Sequence, residues 1–320
     1  MQTICSRTTW SSVAALLALA AGVAHAQEAG PFVFATQSQA RAVLGAQDDY
    51  VRATAGLERS ALLRTPEPVG AERFAAAMAQ TARGWTAEEQ AAFADLPGRL
   101  QRFISGMRWN SPSPILIVKA SSDLMEGFPH TRGNAIVLQE SMLLEAGTQP
   151  DMLAYLMAHE AFHVLSRANP ALREELYRAL GFKPCDAVDM PAALARLRVT
   201  NPDAPESRHA IALRWKGQAV EVLPYVHLPS EAVDPRAGLA AQMRTSWLPV
   251  DRQDGRCTVR AERPELGELE GLYEQVGRNT AYLIHPEEIL AENFAVLFQK
   301  PRKLASPEVL GRIRRILERR

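Results

Sequence analysis

Residues 152–165 read MLAYLMAHEAFHVL. The spacing predicts a helix that is apolar over much of its surface, through Met152, Leu153, Leu156, Met157, Phe162, Val164 and Leu165. Such a helix is buried. Yet it carries His159, Glu160 and His163 within little more than one turn. Three ionisable groups are expensive to bury unless something binds them. Any fold of this chain must therefore surround the helix and also supply partners for these groups.

Helical residues four apart lie one above the other on the same face. His159 and His163 can thus aim at one ion, with Glu160 beside it. His-Glu-x-x-His on a helix reads as zinc held by two histidines, with the glutamate as general base. A catalytic zinc site takes three protein ligands and a water. A third histidine six residues after His163 would complete it, but Asn169 stands there, and Ser166 holds the place of the accompanying glycine. The other source is a glutamate on a later helix. In His285–Phe294, HPEEILAENF, the proline marks a helix start, and Glu288 and Glu292 share a face. One can bind zinc while the other orients a ligand histidine. Glu287 is expected on the solvated side. Ile289, Leu290, Phe294, Val296 and Leu297 make this helix apolar too, so not all its carboxylates can be exposed. His209, Glu221, His227 and Glu231 compete for the third position.

Together these segments resemble the gluzincin branch of zinc metallopeptidases. Glu288-Ile-Leu-Ala-Glu292-Asn-Phe294 is similar to the Glu-x-x-Ala-Glu-x-Phe segment of lethal-factor-like members. The resemblance implies Zn2+ as cofactor, Glu288 as third ligand, Glu292 supporting a histidine, and a peptide or protein as substrate. It also implies an α+β, zincin-like domain with a small mixed sheet, in which Ala135–Leu138 is the edge strand that a peptide pairs with. A tyrosine or histidine that stabilises the oxyanion belongs to the same picture. Tyr282 is the first choice for that role, with His285, Tyr225 and His227 as alternatives. The resemblance covers roughly residues 115–298 in layout but only two short motifs in sequence. The separation between His163 and Glu288 is longer than usual for that branch.

The rest of the chain frames this site. Residues 27–110 read as a helical N-terminal region, with Thr86 and Glu89 spaced as a capping box. Pro97-Gly98 is expected to interrupt the helix that this box opens. Ile115–Val118 and Ala135–Leu138 read as strands bounded by turn residues. Pro150-Asp151 opens the histidine helix, with Asp151 as its cap. Residues 111–320 form the zincin-like domain, interrupted by an insert at about 181–260. The insert is proline-rich and irregular, except for a hairpin in which Ala210–Trp215 and Ala219–Leu223 flank Lys216-Gly217-Gln218.

Residues 1–26 follow the plan of a signal peptide. Arg7 precedes an apolar run, Val13–Val23, and Ala24-His25-Ala26 is an Ala-x-Ala cleavage site. The run is short of the roughly 20 residues that span a bilayer. The chain is therefore expected to be exported, periplasmic or secreted, with no stable membrane insertion after cleavage. Export removes Cys5 and leaves Cys185 and Cys257 in an oxidising compartment, where they are expected to pair. Lys and Arg, 36 in all, balance 36 Asp and Glu, so no basic excess points to nucleic acid. These features make an exported zinc peptidase with Glu160 as base the leading reading. A non-catalytic zincin-fold binding protein with a structural metal, and a zinc amidase acting on cell-wall peptides, are the alternatives.

Overall fold

The computed structural model describes residues 31–146, 149–234 and 236–318. The expected signal peptide lies outside the described residues. The fold is mixed α+β, with two sheets. No helix among the described residues is long and apolar enough to cross a membrane.

The first sheet contains β1 (Phe32–Phe34), β2 (Ala82–Arg83), β3 (Ile115–Ala120), β4 (His130–Arg132) and β5 (Ala135–Gln139). Its order is β1-β3-β5-β4, with β2 alongside β3. β3 runs parallel to β1 and β5, whereas β4 is antiparallel to β5. Every residue of β5 is buried, as befits an unbroken apolar strand covered on both faces. β5 is thus interior, and the expectation that Ala135–Leu138 forms the edge is corrected: the edge is β4. A strand of four buried apolar residues has both faces covered, and here both neighbours are paired as well. The outward N–H of Thr131 in β4 is also occupied, donating to Asp203 Oδ1 at 2.6 Å.

Side chains alternate between the two faces of this sheet. Ile115, Ile117, Ile136 and Leu138 enter a core shared with Met157, Ala161 and Leu165 of the histidine helix. Val118, Ala120, Ala135 and Val137 enter a second core, with Tyr50, Val51, Phe74 and Met78 from the N-terminal helices. The sheet is therefore sandwiched between the two groups of helices. The N-terminal region contributes two strands as well as helices, and Phe93, Leu96 and Leu100 share the main core with the C-terminal helices.

Two local expectations change on the same ground. The capping box at Thr86 forms, with Thr86 N donating to Glu89 Oε2 at 2.8 Å. Its helix, however, stops at Ala92, and a new one runs over Asp95–Ile104 straight through Pro97. Pro97 sits in the first turn of that helix, where its missing N–H costs nothing. The histidine helix spans Pro150–Ala168, with Gln149 rather than Asp151 at the cap.

The insert is not irregular. It builds a second sheet from β6 (Phe182–Pro184), β7 (Ala187–Asp189), β8 (His209–Trp215), β9 (Gln218–His227), β10 (Arg244–Gln253) and β11 (Arg256–Val259), completed by β12 (Leu269–Glu270). The order is β12-β8-β9-β10-β11-β7, with β6 beside β8. The expected hairpin is β8–β9, turning through Lys216 (φ 51°) and Gly217 (φ 77°). A second tight hairpin joins β10 to β11 through Asp254 (φ 48°) and Gly255 (φ 82°). Both loops have two residues at positive φ, the pattern that matches strand twist. One face of the sheet sends Ile211, Leu213, Val222 and Trp247 into the main core. The other buries Leu223, Tyr225, Leu248 and Val250 around a Cys185–Cys257 disulfide.

Candidate metal centre

Two helices build the site. The histidine helix ends where Asn169, at its C-cap, turns its side-chain amide back to the Leu165 carbonyl at 2.8 Å. The position that a third histidine would occupy thus serves to close the helix. The glutamate helix spans Pro286–Gln299, and His285 caps it by accepting from Glu287 N at 3.1 Å. Small residues of both helices, Ala158, Ala161, Ala291 and Ala295, are buried in one core, and Phe162 and Phe294 pack with ring centroids 5.4 Å apart. Small side chains allow close backbone approach, and that closeness brings short glutamates within reach of the histidines.

Glu288 Oε2 lies 3.2 Å from His159 Nε2 and 3.6 Å from His163 Nε2. The ligand atoms of these three buried residues all lie within 4.8 Å of one another, so the group can hold a metal ion. The outer nitrogens are engaged as well. His159 Nδ1 is 3.2 Å from Glu292 Oε1, and His163 Nδ1 is 3.1 Å from Glu287 Oε1. A carboxylate on Nδ1 fixes ring orientation and leaves the Nε2 lone pair facing inward, the usual arrangement behind a metal-bound histidine. His163 Nε2 is buried without a hydrogen-bond partner. The donor set and this orphaned nitrogen both fit a metal.

Glu287 corrects the expectation of a solvated residue. It is 2% exposed, and its second oxygen accepts from Ser166 Oγ at 2.8 Å and from the Tyr177 hydroxyl. A metal-bound histidine donates its outer N–H to a carboxylate, a backbone carbonyl or water, so two candidate ligand histidines leave room for a second supporting carboxylate, and the glutamate helix offers three glutamates in all. That count was the available signal. Asn201 and Asp203 carried none, because they lie in a turn-rich stretch of the insert far from the motif. Asn201 Nδ2 donates to Glu288 Oε1 at 2.6 Å. Asp203, besides holding Thr131, presents an oxygen within 4.8 Å of ligand atoms of Glu160 and His163.

Electrostatics follow from this crowding. For His159, burial disfavours the charged form, but hydrogen bonds to Glu288 and Glu292 prevail and raise it to about 9 in the metal-free protein. His163 is likewise raised against its desolvation, chiefly by Glu288 and Asp203. Glu288 is held well below the carboxylate range by the two histidines, despite its burial. Glu160 moves the other way: burial and then Asp203 push it up to about 8. It is 2% exposed, and its Oε2 has no hydrogen-bond partner.

His159, Glu160, Glu288 and Tyr282 line a cavity of about 370 Å³. Tyr282 is 43% exposed overall. Desolvation, then the charges of Glu288, Asp203 and Glu160, hold its phenol well above the usual range.

The competing ligands are all elsewhere. His209 Nε2 pairs with Glu174 at 2.9 Å, Glu221 with Arg252 at 2.7 Å, and Glu231 with Arg196 at 2.9 Å. His227 is held between the Leu228 carbonyl and Ser246. Tyr225 bonds the Leu194 carbonyl in the second sheet's core. His285 Nε2 lies 3.1 Å from the Glu206 carbonyl. Comparison with known protein families, with curated proteins and with solved structures found no match.

Proposed function

We propose that this chain is an exported, zinc-dependent peptidase of the gluzincin type. The observation that carries the reading is one constellation. Two histidine nitrogens and Glu288 converge on a point, each histidine is backed by its own carboxylate, and a buried glutamate with an unpartnered oxygen adjoins them at an open cavity. A structural zinc site is closed by four protein ligands and needs no base. Three protein ligands facing a cavity fit a catalytic one.

His159, His163 and Glu288 would hold the metal, which when bound supplies a Lewis acid and lowers the pKa of water at the site. The chain's own residues do the rest. Glu160 receives the proton of the attacking water and returns it to the departing amine, and a carboxyl raised by burial is matched to both transfers. Tyr282, kept protonated by burial and then by the surrounding carboxylates, donates to the oxygen on which negative charge develops. Glu287 and Glu292 hold the imidazoles in place. Asn201 pins the Glu288 oxygen that does not face the histidines. The export reading rests on the plan of residues 1–26, and the disulfide agrees with an oxidising compartment.

Glu160→Gln tests the proposal. Hydrolysis of a fluorogenic peptide library should fall at least about 100-fold, the usual scale for losing a general base, while bound zinc is retained. A variant that keeps full activity would sink the mechanism.

A further inference from the structure

The cavity extends well beyond the metal centre. Away from it the wall is apolar, formed by Leu62, Met125, Val199, Val226, Leu239 and Met243. Set into this part of the wall is Glu58, on the helix Gly56–Leu62 of the N-terminal region. Its side chain belongs to the 1% exposed class of core residues rather than to the surface. One oxygen accepts from Thr200 N at 2.8 Å, and the other, Oε2, has no partner. A carboxyl oxygen buried unsatisfied is costly, and nothing in the hydrolytic machinery accounts for it.

The lining is rich in carboxyl groups, and its positive charge lies at the metal centre, on His159 in the metal-free protein. Glu58, Glu126, Glu160, Asp203, Glu288 and Glu292 face the cavity, and no Lys or Arg does. Most of these carboxylates are spoken for. Glu288 and Glu292 engage His159, Glu126 accepts from Leu239 N and Ala240 N, and Asp203 accepts from Thr131. Glu160 stands at the metal centre. His130 also lines the cavity, but burial pushes it down to about 4, so it adds no positive charge. Arg198, the cation whose charge reaches Glu58, bonds the Pro205 carbonyl and is not part of the lining.

We infer that this cavity is the specificity pocket of the enzyme and takes a side chain with an aliphatic stem and a cationic tip, lysine foremost, with Glu58 Oε2 receiving the tip. The stem is matched by the apolar wall. The tip supplies the hydrogen bond that Glu58 lacks, and no Lys or Arg of the lining opposes its charge. In the empty pocket burial raises Glu58 to about 8. An ammonium arriving beside it favours the carboxylate form, and the displaced proton leaves to solvent. The cavity volume of about 370 Å³ falls within the range of small-ligand pockets.

This inference rests on the peptidase reading, so its test is one of binding, read separately from turnover. The zinc-loaded full chain is titrated by NMR with Nα-acetyl-lysine amide, Nα-acetyl-norleucine amide and Nα-acetyl-glutamate amide. Lysine amide should bind about 10- to 100-fold tighter than norleucine amide, the scale of one hydrogen bond to a charged group, and glutamate amide weakest. Glu58→Gln keeps an acceptor for Thr200 N and should bring the lysine advantage down to about threefold or less. Glu58→Leu should do the same, and a melting curve for each variant checks that it folds. A lysine advantage that survives Glu58→Gln, or none in the unaltered protein, overturns the pocket. Cleavage of peptides that differ only beside the scissile bond is measured in parallel. If no peptide is cleaved while Glu58-dependent lysine binding persists, the pocket stands and the hydrolytic reading falls.

Discussion

Glu287 makes the support of the metal centre quantitative. It is the acceptor of three buried donors: His163 Nδ1–H, the Ser166 hydroxyl and the Tyr177 hydroxyl. Glu287→Ala strands all three. At about 1–3 kcal/mol for each buried unsatisfied donor, the loss approaches the total stability of about 5–15 kcal/mol that a domain has. Glu287→Gln is the sharper probe. Its carbonyl oxygen can serve Ser166 and Tyr177, but its amide then meets His163 Nδ1–H donor to donor. The imidazole relieves this by moving its proton to Nε2, the nitrogen that lies 3.6 Å from Glu288 Oε2 and would bind the proposed metal. Zinc affinity should therefore fall about 10- to 100-fold, the usual effect of losing such a partner. Competition against a chromogenic chelator measures the affinity, and guanidinium unfolding of the metal-free protein measures the stability. Ser166→Ala is the control, removing a donor and costing about 1 kcal/mol with affinity nearly unchanged. Zinc affinity in Glu287→Gln equal to that of the unaltered protein would refute the role given to Glu287.

Two further outcomes follow from other parts of the fold. Replacing Cys185 and Cys257 together by serine releases a constraint across 72 residues, which should lower the unfolding free energy by about 4 kcal/mol on the chain-entropy scale; an unchanged denaturation midpoint would contradict it. The metal-free protein should lose stability with rising pH. The folded His159 is raised from 6.5 to about 9, so its stabilising pairs are complete below 6.5 and are lost as pH climbs through about 9. Glu58 and Glu160, raised by burial, act in the same direction. Zinc requires neutral imidazoles, so stabilisation by zinc should grow over that same window. Thermal melts from pH 6.5 to 9, with and without zinc, read both trends.

What could be read from the sequence divides along physical lines. His159, Glu160 and His163 were legible because a helix fixes the geometry of residues one turn apart, and Glu288 and Glu292 for the same reason. That the two helices meet was inferred only through chemistry, since nothing local specifies their crossing. Glu287 is misplaced by periodicity because a helical pattern assigns a residue to a face but not to a neighbour, and two neighbouring helices, Pro150–Ala168 and Pro170–Ala179, present Ser166 and Tyr177 there. Asn201 and Asp203 were illegible, being carried to the site by a long-range loop with no periodic pattern. Ala135–Leu138 was legible as a strand, but edge or interior depends on β4, only three residues long. The second sheet was half legible. Lys216-Gly217 reads as a hairpin turn, whereas Asp254-Gly255, an equally good turn pair, lies in a stretch that reads as irregular.

The account stands on His159, His163 and Glu288 holding zinc. Zinc content and X-ray absorption of the purified chain, with Glu288→Ala beside it, test this most directly. One zinc per chain is expected, with two imidazole nitrogens at about 2.0–2.1 Å and carboxylate and water oxygens at about 2.0–2.2 Å. Glu288→Ala should lose most of the metal. Stoichiometric zinc that survives Glu288→Ala with an unchanged absorption spectrum, or no zinc in the unaltered protein, would contradict the assignment.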